Sequence, residues 1–243
     1  MTTTTSDTFE SIVQFRRSNR AFDAKIEIPD EVIQRSLDRA ILSPNSSNMQ
    51  LWEFYWLRSP EALKEMVPLC LNQQAARTAK HMVVFVTRID LWKQRAQWNY
   101  DRVKSTIQGE PTTMQKGGLK YYGKVMPLLY RQDPFGVMSL VRRGISLVMG
   151  LRKPFFRTGG RANQRIMVHK SCALAAQTFM LSIAAEGYHS CPMEGFDEVR
   201  VKKALGLPRG AEINMIIAVG KGTEPGVWGP RFRLPKEEVV FVR

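Results

Sequence analysis

The sequence is poor in the residues that build most recognisable active sites. Of 243 residues, three are Cys and three are His. Cys70, Cys172 and Cys191 contain no CxxC pair. That excludes a disulfide framework and a cysteine-based zinc centre, and it points to a reducing, cytoplasmic setting. His81, His169 and His189 are scattered, and no HExxH segment occurs. His81 is expected to open a buried strand and His169 a buried helix, so both read as structural. There is no P-loop. Gly220-Lys221-Gly222 lacks the third glycine and the following helix of a dinucleotide fingerprint. No run reaches 18 apolar residues, so no bilayer span is expected. The first residues, MTTTTSD, have neither a basic start nor an apolar stretch, so a secretory signal is not expected.

Acidic residues are also scarce. There are 22 Asp plus Glu against 36 Lys plus Arg, for a net charge of +14. Such an excess usually points toward nucleic acid, a membrane or another anion. Its distribution is uneven. Residues 1–89 hold 11 basic and 10 acidic side chains, residues 166–243 hold 10 and 8, and residues 90–165 hold 15 and 4. One middle segment therefore carries almost the whole excess. Composition is otherwise ordinary, with 44% hydrophobic and 24% charged residues. It fits a chain able to bury a core.

Periodicity outlines the elements. Residues 7–17 read as a helix capped by Asp7. A second helix follows Pro29-Asp30 and ends near Ser43-Pro44, with Ile33, Leu37, Ala40 and Ile41 on one stripe. Trp52 to Leu57 and Met82 to Thr87 read as strands, with short helices over 60–69 and 73–80 between them. Helices are expected over 91–107, 118–131 and 135–151, then a loop over 152–165. The 135–151 stretch places Val137, Leu140, Val141, Ile145 and Val148 on one face. Residues 169–186 form the clearest helix, ended by Gly187. A loop through Ser190 to Gly195, a helix after Asp197, a strand over 213–219 and a β-prone run from Val239 to Val242 complete the chain. This order indicates an α+β fold, a three-layer α/β/α sandwich in one domain over 1–243, with a basic helical insert at 90–165.

Three segments could carry chemistry, and each has a plainer reading beside it. Arg16-Arg17-Ser18-Asn19-Arg20 gathers guanidinium groups and a hydroxyl suited to a phosphate, or it is a solvated basic helix end. Pro44-Asn45-Ser46-Ser47-Asn48 offers small polar groups to a heterocycle, or it only caps its helix. Pro192-Met193-Glu194-Gly195 could present backbone N–H groups to a ligand, or it is a turn.

Taken together, RRSNRAF, SPNSSNMQLW, PMEGFD and PRFRLP stand in the order and spacing of the FMN-dependent nitroreductase family, which the chain resembles over residues 8–89 and 168–243. The resemblance implies a mixed sheet flanked by helices and a homodimer with FMN at the interface. It also implies a C-terminal strand, Val239 to Val242, swapped onto the other subunit. The family's phosphate contacts fall on Arg16, Arg231 and Arg233, with Arg17 and Ser18 beside them. Arg20 matches a cation near the flavin pyrimidine edge, where reduced flavin gathers negative charge. Pro44, Asn45, Ser46 and Asn48 match the loop that reaches FMN from the other subunit. Asn72 matches an amide on the ring, and Pro192, Met193, Glu194 and Gly195 match the loop near N5, approached by backbone N–H groups. Some relatives carry a lysine where Ala75 stands here.

The implied activity is reduction of nitroaromatics, quinones or a related small acceptor, with NADH or NADPH giving a hydride to FMN in a ping-pong cycle. A flavin performs such chemistry itself, which accounts for the lack of a triad, a metal site or a catalytic side chain. Another use of the flavin, as a dehydrogenase or dehalogenase, stays open. So does a chain whose basic insert mainly binds an anionic surface. A membrane surface suits the 135–151 stripe; nucleic acid is disfavoured, because no reading motif is present and the basic residues are spread out.

Overall fold

A computed structural model describes residues 4–131, 137–154 and 160–243. The elements are α1 (Thr5–Phe15), α2 (Asp30–Ile41), β1 (Trp52–Leu57), α3 (Pro60–Leu69), α4 (Gln74–Thr78) and β2 (His81–Arg88). Then come α5 (Trp92–Ser105), α6 (Thr113–Lys120), α7 (Met126–Tyr130), α8 (Val137–Arg152), α9 (Arg161–Ala185), β3 (His189–Met193), α10 (Glu198–Ala204) and β4 (Ala211–Gly220). A π-helical turn, Tyr121–Val125, joins α6 to α7.

The four strands run in the order β1-β2-β4-β3, and every neighbouring pair is antiparallel. Among the described residues the mixed character expected of the sheet is confined to one parallel bridge between Ser18 and Ser190. Alternation along β2 divides the core. Val83 and Phe85 face α2 and α9, whereas Met82, Val84 and Val86 face α3, α4 and α10. This is the three-layer arrangement. In one chain Val239 to Val242 form no strand, and their side chains are exposed.

Several local expectations change. The α1 cap is Thr4, in a capping box with Asp7, rather than Asp7 itself. Ser190 to Met193 are not loop but most of β3, an edge strand. Pro192 is tolerated there because an edge residue need not donate on its open side. α9 starts at Arg161, so 161–165 are helix rather than loop, while 155–159 of that expected loop lie outside the described residues. The 135–151 helix is described from Val137 onward. α9 is apolar and long enough to cross a membrane by composition, but half of its most apolar stretch is buried, as befits the central core helix.

The insert has its own apolar contacts. Ala96 of α5 and Met126 and Tyr130 of α7 pack with Met49, Leu51 and Val168 of α9. The basic segment is thus seated on the main core next to the 44–50 loop.

Candidate functional site

The first site is built around Asn19, which is 1% exposed. Its backbone N–H donates to Ser190 O at 3.1 Å, its Nδ2 donates to Thr223 O at 2.8 Å, and its Oδ1 accepts from Ala21 N at 3.0 Å. Two glycines allow this approach. A Cβ at Gly226 would overlap Asn19 Oδ1 and come within 2.7 Å of Ala21 N, and one at Gly222 would overlap Asn19 Nδ2. Arg20 N then donates to Gly226 O at 2.7 Å. Residues 16–20 are therefore clamped between β3 and the chain after β4.

The clamp creates a cleft of about 200 Å³ lined by Arg16, Arg17, Ser18, Arg20, Trp228, Pro230, Arg231, Phe232 and Arg233. Five guanidinium groups share it with no carboxylate. Burial, followed by repulsion from Arg231, Arg233 and Arg17, holds the Arg16 guanidinium below its ordinary pKa. An anion seated among them would relieve that repulsion. Arg20 stacks on Trp228, its guanidinium carbon 4.1 Å from the ring centroid. Arg17 Nη2 donates to Gly229 O at 2.9 Å. Arg231 also braces the chain, since its Nη2 donates to Gln14 O at 3.0 Å and to Arg16 O at 2.7 Å. It thereby satisfies carbonyls at the end of α1 and complements the helix dipole. The Arg233 side chain donates to the adjacent Phe232 O.

A second group of residues converges at the far end of β3. Leu71 and Asn72 both adopt left-handed backbone, with φ of 54°. Asn72 is exposed. Gln73 Nε2 donates to Gly195 O at 2.6 Å and to Cys70 O at 3.1 Å, and Asp197 N donates to Leu69 O at 2.8 Å. Glu194 and Gly195 are exposed, while Met193 is buried. Ala75 is 2% exposed in an apolar cluster, so a lysine there would have to be accommodated in the core. Burial pushes the Cys191 thiol up, although nearby Arg20 opposes the shift. Cys70 is pushed up to about 11 and Cys172 to about 12, both by burial, so these thiols are not reactive nucleophiles.

The third predicted segment sits elsewhere. Pro44, Asn45 and Ser46 line a cleft of about 420 Å³ against α9 that shares no residue with the arginine cleft. Ser47, Asn48 and Gln50 all have left-handed backbone, an expensive arrangement that needs support. Asn45 Oδ1 accepts from Gln50 N at 2.8 Å. Buried Asn99 exchanges two hydrogen bonds with Asn48, and Tyr121 and Tyr122 hydroxyls bond Ser47. The insert braces this loop.

The two histidines expected to be structural are so placed. Trp56 Nε1 donates to His81 Nδ1 at 3.2 Å, and His169 Nε2 lies 2.9 Å from Glu212 Oε2. The structure adds Asn19, Gln73, Gly222, Gly226 and Trp228 to the site. Asn19 lies within the RRSNRAF motif, whereas the others are visible only once the chain is folded.

Comparison with known proteins identifies the family. The chain is 28% identical over 219 residues to Protein DrgA of Synechocystis sp., covering 90% of this chain and 85% of that protein. It is 27% identical over 228 residues to an NADH dehydrogenase of Thermus thermophilus, covering 94% and 92%. Its fold superimposes on a structure from Exiguobacterium sibiricum, described as a nitroreductase in complex with FMN, with a TM-score of 0.68 and 22% identity over the whole of both chains. The model of the Nitroreductase family matches residues 13–221, most of the sequence, and the chain belongs to that family.

Proposed function

We propose that this chain is an FMN-dependent oxidoreductase that uses NADH or NADPH to reduce a small acceptor of the nitroaromatic or quinone type. The observation that carries the proposal is the cleft of five arginines without a carboxylate. Its residues fit a flavin phosphate: guanidinium groups favour phosphate oxygens, and an anion would offset both the burial and the mutual repulsion that hold Arg16 below its ordinary pKa. When bound, FMN would supply the redox chemistry, taking a hydride from the nicotinamide and passing electrons on to the acceptor in a ping-pong cycle.

The chain's own residues bind and orient. Arg16 and Arg233 hold the phosphate, with Arg17 and Ser18 at its margin. Arg231 supports them by fixing the end of α1. Arg20, seated over Trp228, would offer positive charge to the pyrimidine edge of a bound flavin. Pro192 to Gly195 form a rim whose exposed Glu194 and Gly195 backbone serves the ring, and Gln73 pins that rim at Gly195 O. Asn72 is the amide at the same rim. We assign Pro44, Asn45, Ser46 and Asn48 to the FMN site of a second copy, since they lie outside the arginine cleft of their own chain. The proposed assembly is therefore a homodimer, with Val239 to Val242 adding to the other copy's sheet. The buried free thiols suit a cytoplasmic setting.

The test is purification followed by flavin absorbance and anaerobic reduction with each nicotinamide. Bound FMN that bleaches on NADH or NADPH addition and reoxidises with a quinone or nitroaromatic supports the assignment. Failure to take up FMN would overturn it.

A further inference from the structure

We propose that α8 is an in-plane anchor that seats the enzyme on an anionic membrane surface. The helix is oriented opposite to that of an ordinary surface helix. Its buried residues are polar, Arg142 at 4% exposure and Ser146 at 7%. Arg142 Nη1 donates to Arg131 O at 2.8 Å and to Leu128 O at 3.2 Å, fixing the helix by its polar side. The apolar residues point outward: Leu140, Val141, Ile145, Leu147, Val148 and Leu151 are all exposed, Leu151 at 78%. Water-facing surfaces normally carry the reverse pattern, and a contiguous apolar face marks an interaction site.

The charge pattern selects the partner. At 100° per residue, Leu140, Val141, Ile145, Leu147, Val148 and Leu151 cover one arc of about 160°. Exposed Arg143 lies just beyond one edge of that arc, and exposed Arg152 lies near the other, between Val141 and Ile145. That is the layout of an interfacial helix, whose apolar centre enters the acyl boundary while flanking cations meet phosphates. Its 16 residues span only about 24 Å, short of the roughly 20 residues needed to cross a bilayer. Between Asp133 and Glu186 the sequence has eight basic residues and no acidic one. A second copy docked through the same face would bring the arginines of one helix toward those of the other, with no acid of this stretch to pair them. An anionic lipid surface meets both the apolar face and the cations.

The experiment is flotation of the full chain with two kinds of vesicle, phosphatidylcholine alone and phosphatidylcholine with phosphatidylglycerol, in physiological salt. The expected result is binding to the anionic vesicles, weak binding to neutral ones, and release as salt is raised. The double variant Leu147→Gln with Leu151→Gln is expected to lose affinity at least about tenfold. Both residues are exposed, so circular dichroism should not change. Arg143→Glu with Arg152→Glu is expected to remove the preference for anionic vesicles. No vesicle binding, or binding indifferent to both variants, would overturn the proposal. So would a larger oligomer that the leucine variant dissociates without any vesicle association, which would make the face a self-contact. Retention on duplex DNA in place of vesicles would assign the charge to nucleic acid instead.

Discussion

Arg16 and Arg231 line the same cleft but do different work, and mutation should separate them. Arg16→Ala removes a half-buried cation while sparing the hydrogen bonds that Arg231 donates to the carbonyls at the end of α1. It should weaken FMN binding by roughly 1.5–3 kcal/mol, about 10- to 150-fold, with little change in melting temperature. Arg231→Ala also strips hydrogen bonds from the carbonyls of Gln14 and Arg16, so it should lower thermal stability of the apo chain as well. Calorimetric titration beside a melting curve distinguishes the two. His189 offers a test by pH. Burial, followed by the Lys221 cation, holds its imidazole below the ordinary histidine pKa, and Nδ1 accepts from Gly222 N at 3.1 Å. The folded state thus resists protonation that the unfolded chain accepts. The stability held above the unfolded histidine value, about 6.5, is lost as pH falls through the lower folded value. Urea midpoints at pH 7.5 and 5.5 should show this loss, and His189→Gln should shrink it.

At the scale of elements, the insert matters because it holds a strained loop. Asn99 is buried and pairs twice with Asn48, so Asn99→Ala leaves amide groups unsatisfied beside three left-handed residues. The expected cost is about 1–3 kcal/mol of stability, with weaker FMN retention if this loop serves the other copy's site. Denaturant unfolding and flavin release rates test both parts. The same scale shows what the sequence could and could not disclose. β1 and β2 were legible because their apolar and aromatic runs match strand length and burial. β3 was not, since Pro192 and Gly195 are turn signals locally, and only pairing with β4 makes 189–193 a strand. The apolar stripe of α8 was legible as a stripe. Its outward direction was not, because that depends on Arg142 meeting the carbonyls of Leu128 and Arg131. Arg16 to Arg20 stand out by their spacing, but their convergence with Arg231 and Arg233 depends on Asn19, Gly222 and Gly226.

For the whole molecule, the net charge of +14 divides into separate structural roles. Five arginines form one cleft, and the acid-free stretch from 134 to 185 carries the whole of α8 and α9. The exposed apolar tail from Val239 to Val242 is the whole-molecule feature most in need of a partner. Removing residues 239–243 should shift the proposed dimer toward monomer and lower FMN affinity in parallel, as read by light scattering and flavin titration.

The central claim is that the arginine cleft reads the phosphate of FMN. Its most direct test is equilibrium titration of the apo chain with FMN and with riboflavin, which has the same ring and no phosphate. The expected result is preference for FMN by about 100-fold or more, narrowed markedly by Arg16→Ala. Equal affinity for the two flavins, or a preference unchanged in Arg16→Ala, would contradict it.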